Sequence, residues 1–116
     1  MSFIQIIDFE TGNFDEMTAA VEEFRKATEG KRGTVRARTG KDRDRENHYV
    51  TIVEFASYEE AMRNNDLPET AALAEKMQKL ASGPPTFTNL DVVYAEDDAV
   101  GGRVEPRARL AHAHPA

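Results

Sequence analysis

Residues 48–69 read HYVTIVEFASYEEAMRNNDLPE, and this stretch decides how the rest of the chain is arranged. Tyr49 to Phe55 alternates as a half-buried strand, with Tyr49, Thr51, Val53 and Phe55 on one face and His48, Val50, Ile52 and Glu54 on the other. Ala56-Ser57 makes a tight corner, and Ser57 with Glu60 stands at capping-box spacing for a helix. That helix meets Asn64-Asn65-Asp66, three poor helix formers, and then Pro68, which lacks a backbone donor. A break or strong kink is therefore expected near Asn64 to Leu67. Asp66 and Glu69 are spaced for a restart, with Asp66 as the N-cap of the second segment. Leu73, Met77 and Leu80 carry the apolar stripe on until Gly83-Pro84-Pro85 stops it.

Working outward, Phe3 to Glu10 is apolar on both faces, which suits a central strand covered on two sides. Asn13 and Glu16 form a second capping-box pattern, ahead of a stripe of Met17, Ala20, Val21 and Phe24, with Gly30 closing the helix. Thr34 to Thr39 alternates again but places Arg36 and Arg38 on one face, so an edge strand is expected. The following GKDRDREN reads as a solvated hairpin loop, without the glycine and glutamate spacing of a calcium loop. Phe87 to Tyr94 is the last strand, and residues 96–116 read as a flexible C-terminal tail. The order is β-α-β-β-α-β, a ferredoxin-like α+β domain over residues 1–95. Its four-stranded antiparallel sheet would carry both helices on one face. The other face, built from Ile4, Ile6, Val50 and Ile52, is apolar and invites a homodimer with sheets packed face to face.

Composition narrows the function classes. A net charge of −6 with mixed signs argues against sequence-independent nucleic-acid binding. The chain has no cysteine, so disulfides and thiolate chemistry are excluded. The start, MSFIQIIDFE, lacks a basic n-region and reads as a strand instead of a signal peptide, and no segment is apolar enough to span a membrane. A soluble, cytoplasmic protein is the expectation. No glycine-rich phosphate loop, nucleophile elbow or zinc spacing is present.

The VTIVEFASYEEAM strand-corner-helix, the NNDLPET break and the GPPTFTNLDVV end together resemble the dimeric α+β barrel superfamily, and within it the antibiotic biosynthesis monooxygenase-like proteins. The resemblance covers residues 1–95. It implies a cofactor-independent oxygenase acting on a small aromatic or polyketide-like molecule in a pocket between sheet and helices. The same superfamily also contains haem-degrading enzymes, isomerases and dehalogenating enzymes. Its best-known cofactor-independent members use an Asn, a Trp, a Tyr and an Arg around that pocket. This chain has no Trp, and only Asn64 or Asn65 could match the Asn. A non-catalytic dimeric module for an apolar ligand or haem is the alternative, and a structural dimer with the interior filled by Phe9, Phe24, Phe55 and Met77 is a third.

The residues that could carry chemistry are few. Asn64, Asn65 and Asp66 sit where a helix interruption frees backbone groups to orient a ligand, although they could equally be caps. His48 has a pKa suited to taking a phenolic proton, or could pair across the hairpin; it is also the one candidate axial ligand should haem bind. Tyr49 beside it should face the other side of the sheet, and with Phe55 is a candidate lining residue. Arg36 and Arg38 could hold a carboxylate or enolate, or one could pair with Glu54. Asp8 and Asp91, on strands expected to be neighbours, could approach each other. His112 and His114 in the tail are weak metal candidates. No metal and no cofactor is the expectation.

Overall fold

A computed structural model of the chain describes residues 1–96. His112, His114 and nearly all of the C-terminal tail lie outside the described residues. The elements run β1 (Phe3–Glu10), α1 (Phe14–Ala27), β2 (Thr34–Lys41), β3 (His48–Phe55), α2 (Tyr58–Asn65), α3 (Pro68–Leu80) and β4 (Thr86–Asp91). The strands form one sheet in the order β2-β3-β1-β4, with each neighbouring pair antiparallel. This is the ferredoxin-like arrangement, with β2 on an edge and the second helix divided at Asp66-Leu67.

Strand register sorts the side chains into two faces. Phe3, Gln5, Ile7 and Phe9 stand opposite Phe55, Val53, Thr51 and Tyr49, so these residues share one face. Phe14 of α1 stacks on Tyr49 with ring centroids 4.3 Å apart, and Ala61 of α2 packs with Phe3 and Phe55. That face therefore carries the helices. Ile4, Ile6 and Asp8, opposite Glu54, Ile52 and Val50, point the other way. No described helix covers this second face, where Ile52 and Leu90 are 40% and 42% exposed.

The helix side is only partly packed. Its buried apolar residues are Phe3, Met17, Ala20, Tyr49, Phe55 and Ala61. The third helix, α3, buries no residue fully, and its Leu73, Met77 and Leu80 are half-buried. On the sheet below, Gln5 donates to Asn89 at 3.0 Å, Thr39 and Thr51 share a 2.8 Å hydrogen bond, and Phe87 is exposed. A filled interior would place apolar side chains at such positions.

The caps correct two expectations. Asn13 is the N-cap of α1 by position but makes no side-chain cap bond. Its N–H goes to Thr11 Oγ1 at 2.8 Å and its amide reaches the Leu80 carbonyl, because Thr11 is fully buried and organises this corner. Asp66 closes α2 and does not open α3, whose N-cap is Leu67 at φ −71 and ψ 136. The cause is Pro68: its ring pushes the preceding residue into extended backbone, and proline itself is favoured at the first helical position. Ser57 behaves as expected, accepting the Glu60 N–H at 3.1 Å. Ser57→Ala should cost about 1 kcal/mol in urea unfolding; an unchanged midpoint would contradict this role.

Two further expectations change. Strand β4 ends at Asp91 and does not run to Tyr94. Asp8 and Asp91 lie on neighbouring strands, but antiparallel register sets Asp91 opposite Phe3 and Asp8 opposite Thr86, at opposite ends of the pair. Gly30, at φ 83, adopts the left-handed backbone expected near the end of α1, although Thr28 is the C-cap.

Candidate functional site

The helix break is built from residues that resist helix and a proline that restarts it. Asp66 N–H reaches back to the Met62 and Arg63 carbonyls, and Leu67 N–H to that of Asn64. Thr70 Oγ1 also donates to the Asn64 carbonyl at 2.7 Å, bracing the first turn of α3 against the last turn of α2. The Asn64 side chain is thus held on a fixed backbone. Its Oδ1 is buried and has no hydrogen-bond partner, and the same is true of Glu69 Oε1. Glu69 Oε2 pairs with Lys31 Nζ at 2.7 Å, and this contact, with the residue's own N–H, holds its carboxyl below the usual range. An acceptor buried without a donor costs free energy unless something supplies one. Asn65 and Asp66, by contrast, are exposed.

His48 is placed elsewhere. Tyr49 faces the helices, sandwiched between Phe9 at 5.6 Å and Phe14, so His48 opens onto the uncovered face. Its ring is largely buried between two carboxylates. Nδ1 lies 2.6 Å from Asp42 Oδ2 and Nε2 lies 3.0 Å from Asp8 Oδ1. The hydrogen bond to Asp42, and then that to Asp8, raise the His48 pKa above its ordinary value. Asp42 is held low, first by the Asp44 N–H and then by His48. Both ring nitrogens are engaged, so neither is open to a haem iron. Arg45 from the same loop pairs with Glu10 at 2.5 Å. Asp8, Glu10, Arg45 and His48 border a cleft of about 420 Å³ that also includes Phe9, Gly83, Pro84 and Thr86.

The remaining candidates divide between the faces. Arg36 and Arg38 lie on the open face, and Arg36 pairs with Glu54 at 3.3 Å. Phe55 is in the core, 4% exposed. Asn64 and the Tyr49–Phe55 row therefore belong to the helix side, while His48, Arg36 and Arg38 lie across the sheet from them. Asp42 and Asp8 were missed as partners of His48. Counting register would have found them: Lys41 pairs with Tyr49, so Asp42 faces His48, and Asp8 sits diagonally across from it. A larger groove of about 770 Å³ runs between α1 and α3, edged by charged residues including the Lys76–Glu23 pair, and contains none of the candidates. Among the described residues, no three His, Asp or Glu side chains are placed to hold a metal ion, and no helix is long and apolar enough to cross a membrane.

Comparison with known proteins places this geometry in a recurring fold. SnoaB, a cofactor-independent oxygenase from Streptomyces nogalater, matches over 81% of this chain and 95% of its own at 16% identity, with a TM-score of 0.68. A SnoaB variant with one asparagine replaced by alanine matches equally, at 17% identity and a TM-score of 0.69. A provisionally assigned antibiotic biosynthesis monooxygenase from Caulobacter crescentus matches over 80% of this chain and 91% of its own, at 14% identity and a TM-score of 0.70. A conserved protein from Methanosarcina mazei superposes with a TM-score of 0.68 at 4% identity, over 78% of this chain and 91% of its own. No protein-family model matches the chain, and no curated protein matches it in sequence. What these neighbours share with this chain is the fold: the α+β architecture of the antibiotic biosynthesis monooxygenase-like proteins.

Proposed function

We propose that this protein is a cofactor-independent oxygenase that binds a small phenolic polycycle between the helix side of the sheet and the α2–α3 break. The observation that carries this reading is the buried, unpartnered Oδ1 of Asn64 at the helix break, followed by a helix, α3, that buries no residue fully. A phenolic hydroxyl would give that oxygen its missing donor, and the half-buried Leu73, Met77 and Ile7 would flank the rings. The fold match to a cofactor-independent oxygenase supports the same chemistry. In such a reaction the electron-rich substrate itself reduces dioxygen, so the protein's share is to orient the rings and keep water out. Asn64 is the positioning group. His48 is not assigned a part, because it sits on the other face.

That last fact favours one second reading, a binding module that holds the same ligand without turnover. Oxygen consumption separates the two. Tricyclic phenols of the anthrone class should drive oxygen uptake by the purified protein without added flavin, haem or metal, and uptake that stays at the protein-free rate while the phenol still binds would favour the binding module.

The uncovered face supports a proposed homodimer. Ile4, Ile6, Val50, Ile52 and Leu90 form an apolar surface next to the Arg36–Glu54 pair, and a second copy offers a matching surface under two-fold symmetry. Ile52, opposite Ile6 and Arg38, lies near the middle of it. Ile52→Asp should convert a dimer to a monomer at micromolar concentration in light scattering. A variant that remains as associated as the parent would place the interface elsewhere.

A further inference from the structure

The cluster around His48 lies outside the proposed oxygenase site and is built with more care than a solvated hairpin needs. Its ring has a carboxylate within hydrogen-bonding distance of each nitrogen, one from the β2–β3 loop and one from the central strand. Only the imidazolium can donate to both at once. In the neutral ring one nitrogen must present a lone pair to a carboxylate. The two sides are unequal. Asp42 is nearer, and it is further held by the Asp44 N–H at 2.9 Å and by a backbone bond from its own N–H to the His48 carbonyl. Asp8 is more distant and its side chain is 40% exposed, free to turn into water.

We infer that His48 is a proton-operated latch on the β2–β3 loop: as the imidazolium it ties Asp42 of the loop to Asp8 of β1, and as the neutral ring it keeps Asp42 and releases Asp8. Loss of the proton from Nε2 to water in the cleft breaks the side-chain link between His48 and Asp8, while the pairing of His48 with Glu10 and the bond from Asp42 N–H to the His48 carbonyl hold. Two ties then join the loop itself to β1 and the residue after it. One is the exposed Arg45–Glu10 pair, which salt screens, and the other is the backbone bond from Thr11 N–H to the Asn47 carbonyl. The charged groups facing the ring are therefore Asp42, Asp8 and Arg45, with Glu10 behind Arg45 and Asp44 contributing its N–H. The two carboxylates favour the proton and Arg45 opposes it. The sign follows: a closed loop that raises the His48 pKa is favoured while the ring is protonated and loosens as pH climbs through that raised value. Each unit of difference between closed and open forms corresponds to about a tenfold change in the closing equilibrium. When the loop lifts, the cleft beneath it widens over Asp8, Pro84 and Thr86.

The experiment is residue-resolved NMR on the full-length protein between pH 5 and 9, at low salt and at 0.5 M NaCl. Ring signals give the His48 titration, identified as the histidine signal missing in His48→Gln. Amide exchange of Thr11 and of residues 42–47, corrected for intrinsic rates, gives loop opening. The latch predicts that protection falls about tenfold or more at the pH where His48 titrates, and falls further in salt. Asp8→Asn should abolish the step, because an amide can donate to the neutral Nε2 and stay in place. His48→Gln should be open at every pH, and should it not fold, Asp8→Asn decides the matter alone. Protection that stays constant while His48 titrates, or a step of the same size in Asp8→Asn, overturns the latch. Neither outcome depends on the oxygenase reading, since no phenol is added.

Discussion

Asn64→Ala is expected to lower kcat for oxygen consumption with a tricyclic phenol about a hundredfold, comparable to losing one well-placed polar contact to a reacting group. Its effect on folding should be small. The Asn64 side-chain oxygen is buried without a partner, so alanine removes an unsatisfied group and no internal hydrogen bond of that oxygen. The bracing contact from Thr70 goes to the Asn64 backbone carbonyl and survives the substitution. Activity lost with the urea midpoint retained is the pattern that separates a ligand-facing residue from a structural one. Parallel loss of both would assign Asn64 to folding instead. Unchanged activity would remove it from the site.

The second large effect concerns stability. Phe55→Ala should destabilise the domain by about 3–5 kcal/mol, a large part of the roughly 5–15 kcal/mol that holds a domain of this size. Phe55 is 4% exposed and stands directly opposite Phe3, whose ring is 6.4 Å away and in turn meets Tyr58 edge-on at 5.3 Å. Phe3, Phe55 and Ala61 form the buried cluster that joins β1, β3 and α2, with Val53 and Met62 packed against it. Urea unfolding monitored by far-ultraviolet circular dichroism measures the loss. A cost below about 1 kcal/mol would mean that the core lies elsewhere.

Much of this architecture was legible because it depends on local chemistry. Alternation in Tyr49–Phe55 placed Tyr49 and His48 on opposite faces, and the structure has them so. Asn64-Asn65-Asp66 followed by Pro68 announced a broken helix, since each residue disfavours helix by its own side chain or ring. Arg36 and Arg38 marked an edge strand, and β2 is one. What failed depended on contacts distant in sequence, or on one local constraint outweighing another. The capping role expected of Asn13 lost to a corner set by Thr11, which donates to the Leu80 carbonyl at 2.7 Å. Asp66 lost the N-cap of α3 because the constraint of Pro68 on Leu67 outweighs a side-chain preference. The candidate site was legible in part. Asn64 could be singled out from the break, but not the burial of its oxygen, which depends on packing across elements. His48 stood out as a titratable residue, yet its partners come from a loop that composition marked only as solvated.

The helix side of the sheet is where the proposed ligand binds. A titration of the isotope-labelled protein with a tricyclic phenol, followed by backbone and side-chain amide shifts, tests this most directly. The largest changes are expected on Gln5, Ile7, Thr51, Asn64, Thr70 and Leu73, with the Asn64 side-chain amide among them. Shifts confined to His48, Asp8 and Thr86, or to the groove between α1 and α3, would contradict it.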